Sequence, residues 1–541
     1  MNTTTTTEKP SAWRTLRHPD FRNVWASSVV SNVGSWMQDT AGTWLMTSLT
    51  TSPLLIALMQ TAAGLPILLL GYPAGVIADI LDRRRLLIFW QVWMLAAVAI
   101  LSVLTFAGVI SPWTLLALTF LLNVGAAMNG PAWQAIIPEL VPRPELPNAV
   151  AVNSAGYNLA RAVGPTLGGL MVAAFVLVAR GAGTVFLLNS LSFVAVVVVL
   201  YYWRSKPLYK SALPAERMSG ALWSGVRYLR YTPELRATFV RTFAFAIFAS
   251  AVWALLAVVA RQDLRQGAMA YGILNGCLGA GAVAGASYLP RLRQRFSADT
   301  IVAGSSVIFA GTLATLAFER SVPLIVLALL AAGFAWTSAL STLNVTVQIS
   351  TPPWVQARAL GTYQMIFWGG IASGSALWGL LAEHLSTPTA LAAAAVSALV
   401  SLPLGRRFHL LEEMPPDLSP YALNRAAPQV VVEPHPDDGP VMITIEYEIR
   451  PEDCTAFGHA IHRVREMRLR NGAINWGVYQ DAQLPDRFVE TFVVESWIDF
   501  LRQRERYSAP DRELRDLAWS FHRGAAPPAV AYMLYAREAT T

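Results

Sequence analysis

Charge, lysine and cysteine are all scarce in this chain. Only 14% of its 541 residues are charged, while 54% are hydrophobic, a balance that disfavours a string of soluble domains and points to the membrane. The two cysteines, Cys277 in an apolar run and Cys454 near the C-terminal end, give no disulfide framework. Lysine occurs 3 times against 38 arginines, the usage of a GC-rich bacterial genome. Met1–Pro10 is polar and threonine-rich, so no signal peptide is expected ahead of the first apolar run. The few charges are also segregated. Residues 1–404 carry 25 basic against 13 acidic side chains, a net +12, and residues 405–541 carry 16 against 21, a net −5. The overall +7 and a pI near 9.5 therefore belong to basic loops beside a membrane, not to a nucleic-acid footprint.

What is abundant is apolar sequence of spanning length. After a tail over 1–20, runs follow at about 21–48, 53–78, 86–108, 112–136, 147–178 and 183–203. A polar segment at 204–235 separates these from runs at about 236–261, 267–290, 298–318, 322–350, 354–383 and 386–404. Most exceed the roughly 20 residues that cross a bilayer core, which predicts an all-α membrane protein of twelve spans, six in 21–203 and six in 236–404. Alternate loops hold Arg83–Arg85, Arg143, the central basic residues, Arg291–Arg295, Arg358 and Arg406-Arg407. Basic loops stay cytoplasmic, so both termini are expected in the cytoplasm. Within the central segment, Met218, Leu222, Val226 and Leu229 make Ala215–Tyr231 an amphipathic helix suited to the membrane interface.

Gly71–Leu87, GYPAGVIADILDRRRLL, has an echo at an offset of 210 residues: Gly71 with Gly281, Gly75 with Gly285, Arg83 with Arg293 and Arg85 with Arg295. At the same offset Ala149, Gly164, Gly169 and Leu170 match Ala359, Gly374, Gly379 and Leu380. Glycines four apart, as at Gly71 and Gly75, make a smooth strip where another helix can approach. Parallel six-span repeats are the layout of secondary transporters, with the substrate site between the halves.

On these residues the chain resembles the major facilitator superfamily, and within it the branch of bacterial exporters that includes the enterobactin exporter, the transmembrane secretion effectors. Gly75-Val76-Ile77-Ala78-Asp79 followed by Arg83-Arg84-Arg85 is similar to the superfamily's gating motif between spans two and three. The resemblance implies that Asp79 locks helix ends together and that Arg83, Arg84 and Arg85, with Arg293 and Arg295 in the second copy, gate the change of access. Ile80 stands where many members carry a basic residue. Gly164-Pro165-Thr166-Leu167-Gly168-Gly169 resembles the core of the antiporter motif, so Gly164, Pro165, Gly168 and Gly169 imply export.

Two ionisable residues lie deep in spans. Arg161 falls 13 or 14 residues into its run, roughly 20 Å deep, where an arginine is costly and a functional candidate; the alternative is that it neutralises one partner and holds helices together. Asp39 lies about 16 residues past the start of the first span, roughly 24 Å in. It is a candidate for proton coupling or substrate contact, or else meets the outer interface. Asn123, Asn129 and Gln348 join Asn32, Gln38, Gln134 and Asn344 as neutral hydrogen-bonding groups, and Trp36, Trp44, Trp133 and Trp368 could line an amphipathic cavity beside them. Glu383 and His384 read as a solvated helix end.

Residues 405–440 are rich in proline and acids, a linker. Val441–Ile449 alternates as a strand. Pro451–Arg470 sets Cys454, Phe457, Ile461, Val464 and Met467 on one helical stripe. Strands at about 474–480 and 487–496, helices at 497–507 and 511–522, and a strand near 529–536 complete a β-α-β-β-α-β order, ferredoxin-like, over 441–541. It resembles the small monooxygenase-like domains of antibiotic biosynthesis, which pair as dimers. His459, His462, Trp476 and Tyr479 sketch a site there, but the histidines lack metal-ligand company, so no metal or cofactor is expected and a dimerising or regulatory module is preferred to an enzyme. The expectation is a multi-pass transporter of the bacterial cytoplasmic membrane that exports a small amphipathic molecule (siderophore, drug or secondary metabolite) by proton antiport. Two alternatives stay open: a proton-coupled importer, and a membrane-anchored enzyme or sensor working through its tail.

Overall fold

The computed structural model describes residues 12–203, 228, 230–410, 430 and 434–536. Most of the central segment expected as an amphipathic helix lies outside these residues, as do 411–429 of the linker. The first half contains α1 (Pro19–Leu49), α2 (Pro53–Ile80), α3 (Arg83–Phe106), α4 (Pro112–Leu140), α5 (Leu146–Ala173) and α6 (Val178–Tyr202). The second contains α7 (Pro233–Val258), α8 (Ala268–Arg295), α9 (Ala298–Phe318), α10 (Val322–Ile349), α11 (Pro353–His384) and α12 (Thr387–Val400).

The sequence starts several of these helices by one device. Ser52, Ser111, Ser297 and Ser386 each accept a hydrogen bond from the backbone N–H three residues on, the N-cap arrangement that satisfies an otherwise orphaned donor. Proline follows within the first turn of α2, α4 and α12, where its missing N–H costs nothing. Gly108, at φ 71°, turns the chain after α3 in a conformation that other residues resist.

Ten of the described helices are long and apolar enough to cross a membrane. The two long helices outside that set are α1 and α5, of 31 and 28 residues. Their polarity is the reason: they carry Asp39, Arg161 and a series of Ser, Thr, Asn and Gln. In α1 the hydroxyls of Ser27, Ser28, Thr40, Thr47 and Ser48 donate to carbonyls three or four residues back, so these groups are satisfied without water.

The structure divides into two compact units. The first holds the helical bundle except residues 344–360 and the start of α7. Within it the repeat seen at 210 residues is a repeat of packing. In the first half a Cβ at Gly164 would stand 3.1 Å from the Val33 carbonyl oxygen of α1, and one at Gly169 would stand 2.7 Å from Gly272 Cα of α8. In the second half a Cβ at Gly374 would meet the Ile247 carbonyl of α7 at 2.6 Å, and one at Gly379 would meet Leu54 Cα of α2 at 3.2 Å. So α5 lies between α1 and α8, and α11 between α7 and α2. Bare backbone is needed at each contact. The strip expected at Gly71 and Gly75 is uneven. Gly71 faces Met365 at 3.3 Å and Gly75 has no described atom within 4 Å, whereas Gly285 packs on Phe334 of α10 at 3.1 Å.

The second unit gathers residues 214–238, 344–360 and 408–541. Its sheet is built from β1 (Val441–Glu448), β2 (Asn475–Gln480), β3 (Arg487–Val494) and β4 (Ala529–Leu534), in antiparallel order β2-β3-β1-β4. Its helices are α13 (Cys454–Arg470), α14 (Trp497–Glu505) and α15 (Ala509–Trp519). Phe457, Ile461, Val464 and Met467 of α13 are buried against Ile443, Ile445 and Tyr447 of β1, which is the stripe read from the sequence. Glu490 lies fully buried and accepts from Arg468 Nε at 2.9 Å, Tyr447 Oη at 3.0 Å and Trp476 Nε1 at 3.0 Å. Burial alone would lower the Arg468 pKa, but Glu490 and Tyr507 outweigh it and raise it.

Candidate functional site

The first unit has two distinguishable ends. One carries the basic turn at Arg83–Arg85 and the C-terminal end of α8 at Arg293 and Arg295. At the other, the two halves are hydrogen-bonded to each other. Arg261, after α7, donates to Thr47 Oγ1 at 3.0 Å, and Gln262 donates to the Thr51 carbonyl at 3.1 Å. Ser52 Oγ donates to Glu383 Oε2 at 2.8 Å, and Thr61 Oγ1 donates to the Ala372 carbonyl at 2.8 Å. Arg261 also lies over the Trp44 ring, 5.6 Å from its centroid, and Trp44 stacks on Tyr271 of α8 at 5.5 Å. Sequence reading named Trp44 as a cavity group and Glu383 as a helix end, but not the ties that join the halves here. Glu383 is not merely a solvated helix end, because its carboxylate also faces the Leu54 N–H at 3.4 Å, at the positive N-terminal end of α2.

Arg161 of α5 projects where the halves meet. Its guanidinium carbon is 5.8 Å from the Trp36 ring centroid on α1 and 5.8 Å from the Trp336 ring centroid on α10. Tyr157, one turn earlier on α5, meets Trp36 edge to face at 6.2 Å. Trp336 in turn packs on Trp253 at 4.2 Å and Phe367 at 5.6 Å. No carboxylate pairs with Arg161 among the described residues. Asp39 is exposed on α1, without an ion-pair partner among the described residues, and lies within electrostatic reach of Tyr157 and Tyr271.

The packing of α1 on α5 fixes their heights. Gly156 sits on Val29 and Gly168 on Met37, so Arg161 stands opposite about residue 32. Asp39 is some seven residues further along α1, about two turns. The two residues share one interface but do not form a pair.

The neutral candidates separate. Asn123 donates to Thr119 of its own helix at 2.9 Å, and Asn129 accepts from Gln91 of α3 at 3.4 Å. Gln38 is buried and accepts from Asn189 of α6 at 2.5 Å, an interhelical tie inside the first half. Gln348 belongs to the second unit, one residue before the end of α10, and donates to Asn344 at 2.6 Å.

At the basic end, Arg83 pairs with Glu139 of α4 at 2.9 Å and donates to the Ala135 carbonyl at 3.2 Å. Arg84 donates to the carbonyls of Leu200, at 2.9 Å, and Tyr201, closing the last turn of α6. Arg85, Arg293 and Arg295 are exposed. Asp79 is the penultimate residue of α2, and its side chain lies outside the described set. The antiporter-motif residues are packing residues. Gly168 abuts Met37 of α1, where a Cβ would stand 2.6 Å from the Met37 carbonyl oxygen. Pro165 is buried within an unbroken α5, and Gly169 abuts α8 of the other half.

In the second unit, the Arg506 guanidinium covers the Trp354 ring at 4.3 Å, Trp354 meets Tyr228 edge to face at 5.4 Å, and Arg470 lies over Tyr228 at 5.8 Å. Tyr228, whose pKa burial pushes up to about 12, donates to the Ser350 carbonyl at 3.4 Å. Tyr231 packs against the domain's apolar core. Of the residues first read as a site in the tail, His462 and Trp476 meet ring to ring at 5.6 Å, and the Trp476 indole is already engaged by Glu490.

Paired half-bundles packed along shared seams, with polar groups where they meet, are the arrangement of a multi-pass membrane transporter. The chain belongs to the transmembrane secretion effector family of the major facilitator superfamily, which it matches over residues 10–540. It is 26% identical over 392 residues to YfiS, an uncharacterized MFS-type transporter of Bacillus subtilis, covering 69% of this chain and 91% of that one. It is 25% identical over 374 residues to the multidrug efflux pump Tap of Mycolicibacterium fortuitum, covering 66% and 88%. Among solved structures, the nucleoside transporter NupG superposes with a TM-score of 0.57 at 12% identity, covering 72% of this chain and 100% of that one. That likeness concerns the fold alone.

Proposed function

We propose that the chain is a twelve-span secondary transporter that exports a small amphipathic molecule across the bacterial cytoplasmic membrane by alternating access, in exchange for protons. The observation that carries the reading is Arg161, set between Trp36 of one half and Trp336 of the other. A ligand held there touches both halves, which alternating access requires. The two helices too polar for the apolar set, α1 and α5, are then spans that face the interior of the bundle. With basic loops on the cytoplasmic side, the hydrogen-bonded end is outer. The efflux activity in the name of the relative Tap supports export, and exposed, unpaired Asp39 is the residue suited to carry the proton.

The tail, with its monooxygenase-like resemblance, is read as a regulatory or dimerising module, not an enzyme. The contacts of Arg506 and Arg470 with Trp354 and Tyr228 support the regulatory role, because Trp354 begins α11. The test of the whole reading uses everted vesicles with an acidified lumen and a panel of dyes and siderophores. Wild type accumulates a compound only with the proton gradient imposed, and Asp39→Asn loses that dependence. Accumulation of nothing by a folded, oriented protein overturns export and favours the importer or tail-centred reading.

A further inference from the structure

We propose that the molecule held at Arg161 is an anion, a small amphipath whose carboxylate or equivalent acid pairs with the guanidinium while a flat apolar body lies between Trp36 and Trp336. This rests on the reading of the chain as a carrier with its site between the halves. It goes beyond that reading by fixing the charge and shape of the cargo.

The geometry argues by elimination. Arg161 stands 15 residues into the 28-residue α5, where a permanent positive charge needs a counter-charge. Arginine holds its proton under all physiological conditions, so it cannot neutralise itself. No described carboxylate pairs with it. Asp39 lies about two turns further along α1, at the height where α5 presents Gly168 and Gly169. What surrounds the guanidinium is aromatic: Trp36, Tyr157 and Trp336. Ring faces attract a cation but leave its hydrogen-bond donors unmet. A carboxylate answers both needs, since its two oxygens match the guanidinium fork. The two indoles supply apolar faces from opposite halves. A cationic drug, by contrast, would bring a second positive charge to the same spot.

Charge-assisted pairing at the guanidinium fork also gives selectivity. A site built around a polar group rejects the isostere that lacks its partner, because the protein's own group is then left unpaired. The distinguishing comparison is therefore between an acid and its ester.

Binding is read as energy transfer from tryptophan to pyrene on the purified full chain, with 1-pyrenebutyrate, its methyl ester and a pyrenebutyl-trimethylammonium as probes. Wild type is expected to bind the acid at least tenfold more tightly than the ester, about 1.4 kcal/mol, and the cation most weakly. Arg161→Gln removes the preference, and Arg161→Lys, which keeps the charge, retains part of it and guards against a folding defect. Equal binding of acid and ester by wild type, tighter binding of the cation, binding of none of the three, or an acid preference that survives Arg161→Gln would each overturn the proposal. The measurement does not depend on transport. An acid preference without accumulation in vesicles sinks the export reading alone, and accumulation without the preference sinks this one alone.

Discussion

Replacing Gly169 by alanine puts one methyl group into the seam between the halves. A Cβ there would stand 2.6 Å from the Ala268 carbonyl oxygen, 2.7 Å from Gly272 Cα and 3.1 Å from Gly272 N. All three are backbone atoms of α8, so no side chain can swing aside. Restoring ordinary contact near 3.4 Å means parting α5 from α8 by roughly 0.7 Å, a strain of the kind that costs about 1–3 kcal/mol in packed interiors. Alanine returns about 0.5–1 kcal/mol through its higher helix propensity, leaving a net penalty of up to about 2.5 kcal/mol, with about 1 kcal/mol in the middle of the range. Because α5 and α8 belong to opposite halves, the penalty falls on arrangements in which this seam is closed. At about 1.4 kcal/mol per tenfold, it shifts the access equilibrium by roughly fivefold, and by up to about 70-fold. The matched control is Gly311→Ala in α9, where nothing lies within 4 Å and propensity alone predicts neutrality or slight stabilisation. The assay pairs transport rate in vesicles with alkylation of single cysteines placed on either side of the seam. Gly169→Ala that transports, labels and melts like Gly311→Ala would refute the packing account.

Other perturbations follow from the same geometry. Asp39→Asn should leave folding intact and abolish the proton dependence of transport, read as the ratio of initial rates with and without a pH gradient. Glu383→Ala removes an exposed tie to Ser52 and the start of α2; such contacts are worth at most about 1 kcal/mol. Thiol labelling of a Thr61→Cys variant from the far side should therefore quicken by up to roughly fivefold. In the tail, Glu490→Gln leaves the buried Arg468 without its counter-charge, a loss of about 3–5 kcal/mol. Amide exchange along β1 of the full chain should accelerate, and Arg468→Met added to Glu490→Met should recover much of the protection. Arg506→Ala uncovers Trp354, and a changed transport rate with the tail still folded would mark the contact as regulatory. An unchanged rate would leave it a packing contact.

The helices were legible because their punctuation is local. Apolar length, with a serine N-cap at each start, set the bounds of α2, α4 and α9 within a few residues, and alternation did the same for β1. The largest early start, α6 at Val178 in place of 183, arises because Arg180 and two glycines interrupt the apolar run. The pattern of small residues at an offset of 210 foretold which glycines would share a packing role in the two halves. It could not tell that Gly75 would lack a neighbour, since that depends on which helix arrives. The contacts that join the halves were illegible for the same reason. Arg261 and Thr47 are 214 positions apart, and neither residue is unusual in its own segment. Gln38 looked like a cavity group from its depth alone, yet its partner Asn189 lies on α6. Arg161 was visible as an anomaly of charge, but its aromatic surroundings come from three helices and appear only when these are assembled.

The polarity of α1 and α5 also bears on how the protein reaches the membrane. The α1 segment leaves the ribosome ahead of α2, and it carries Asp39 without being as apolar as its neighbours. A central aspartate or arginine adds about 2.5–3.5 kcal/mol to the insertion of a lone helix. The translocon would then release α1 into lipid poorly by itself, and α5 likewise, unless a following hydrophobic segment holds it. The hairpin of α1 with the strongly apolar α2, and of α5 with α6, becomes the unit of insertion. A nascent chain cut before Pro53 should stay at the translocon exit, and one extended through Ile80, the end of α2, should integrate.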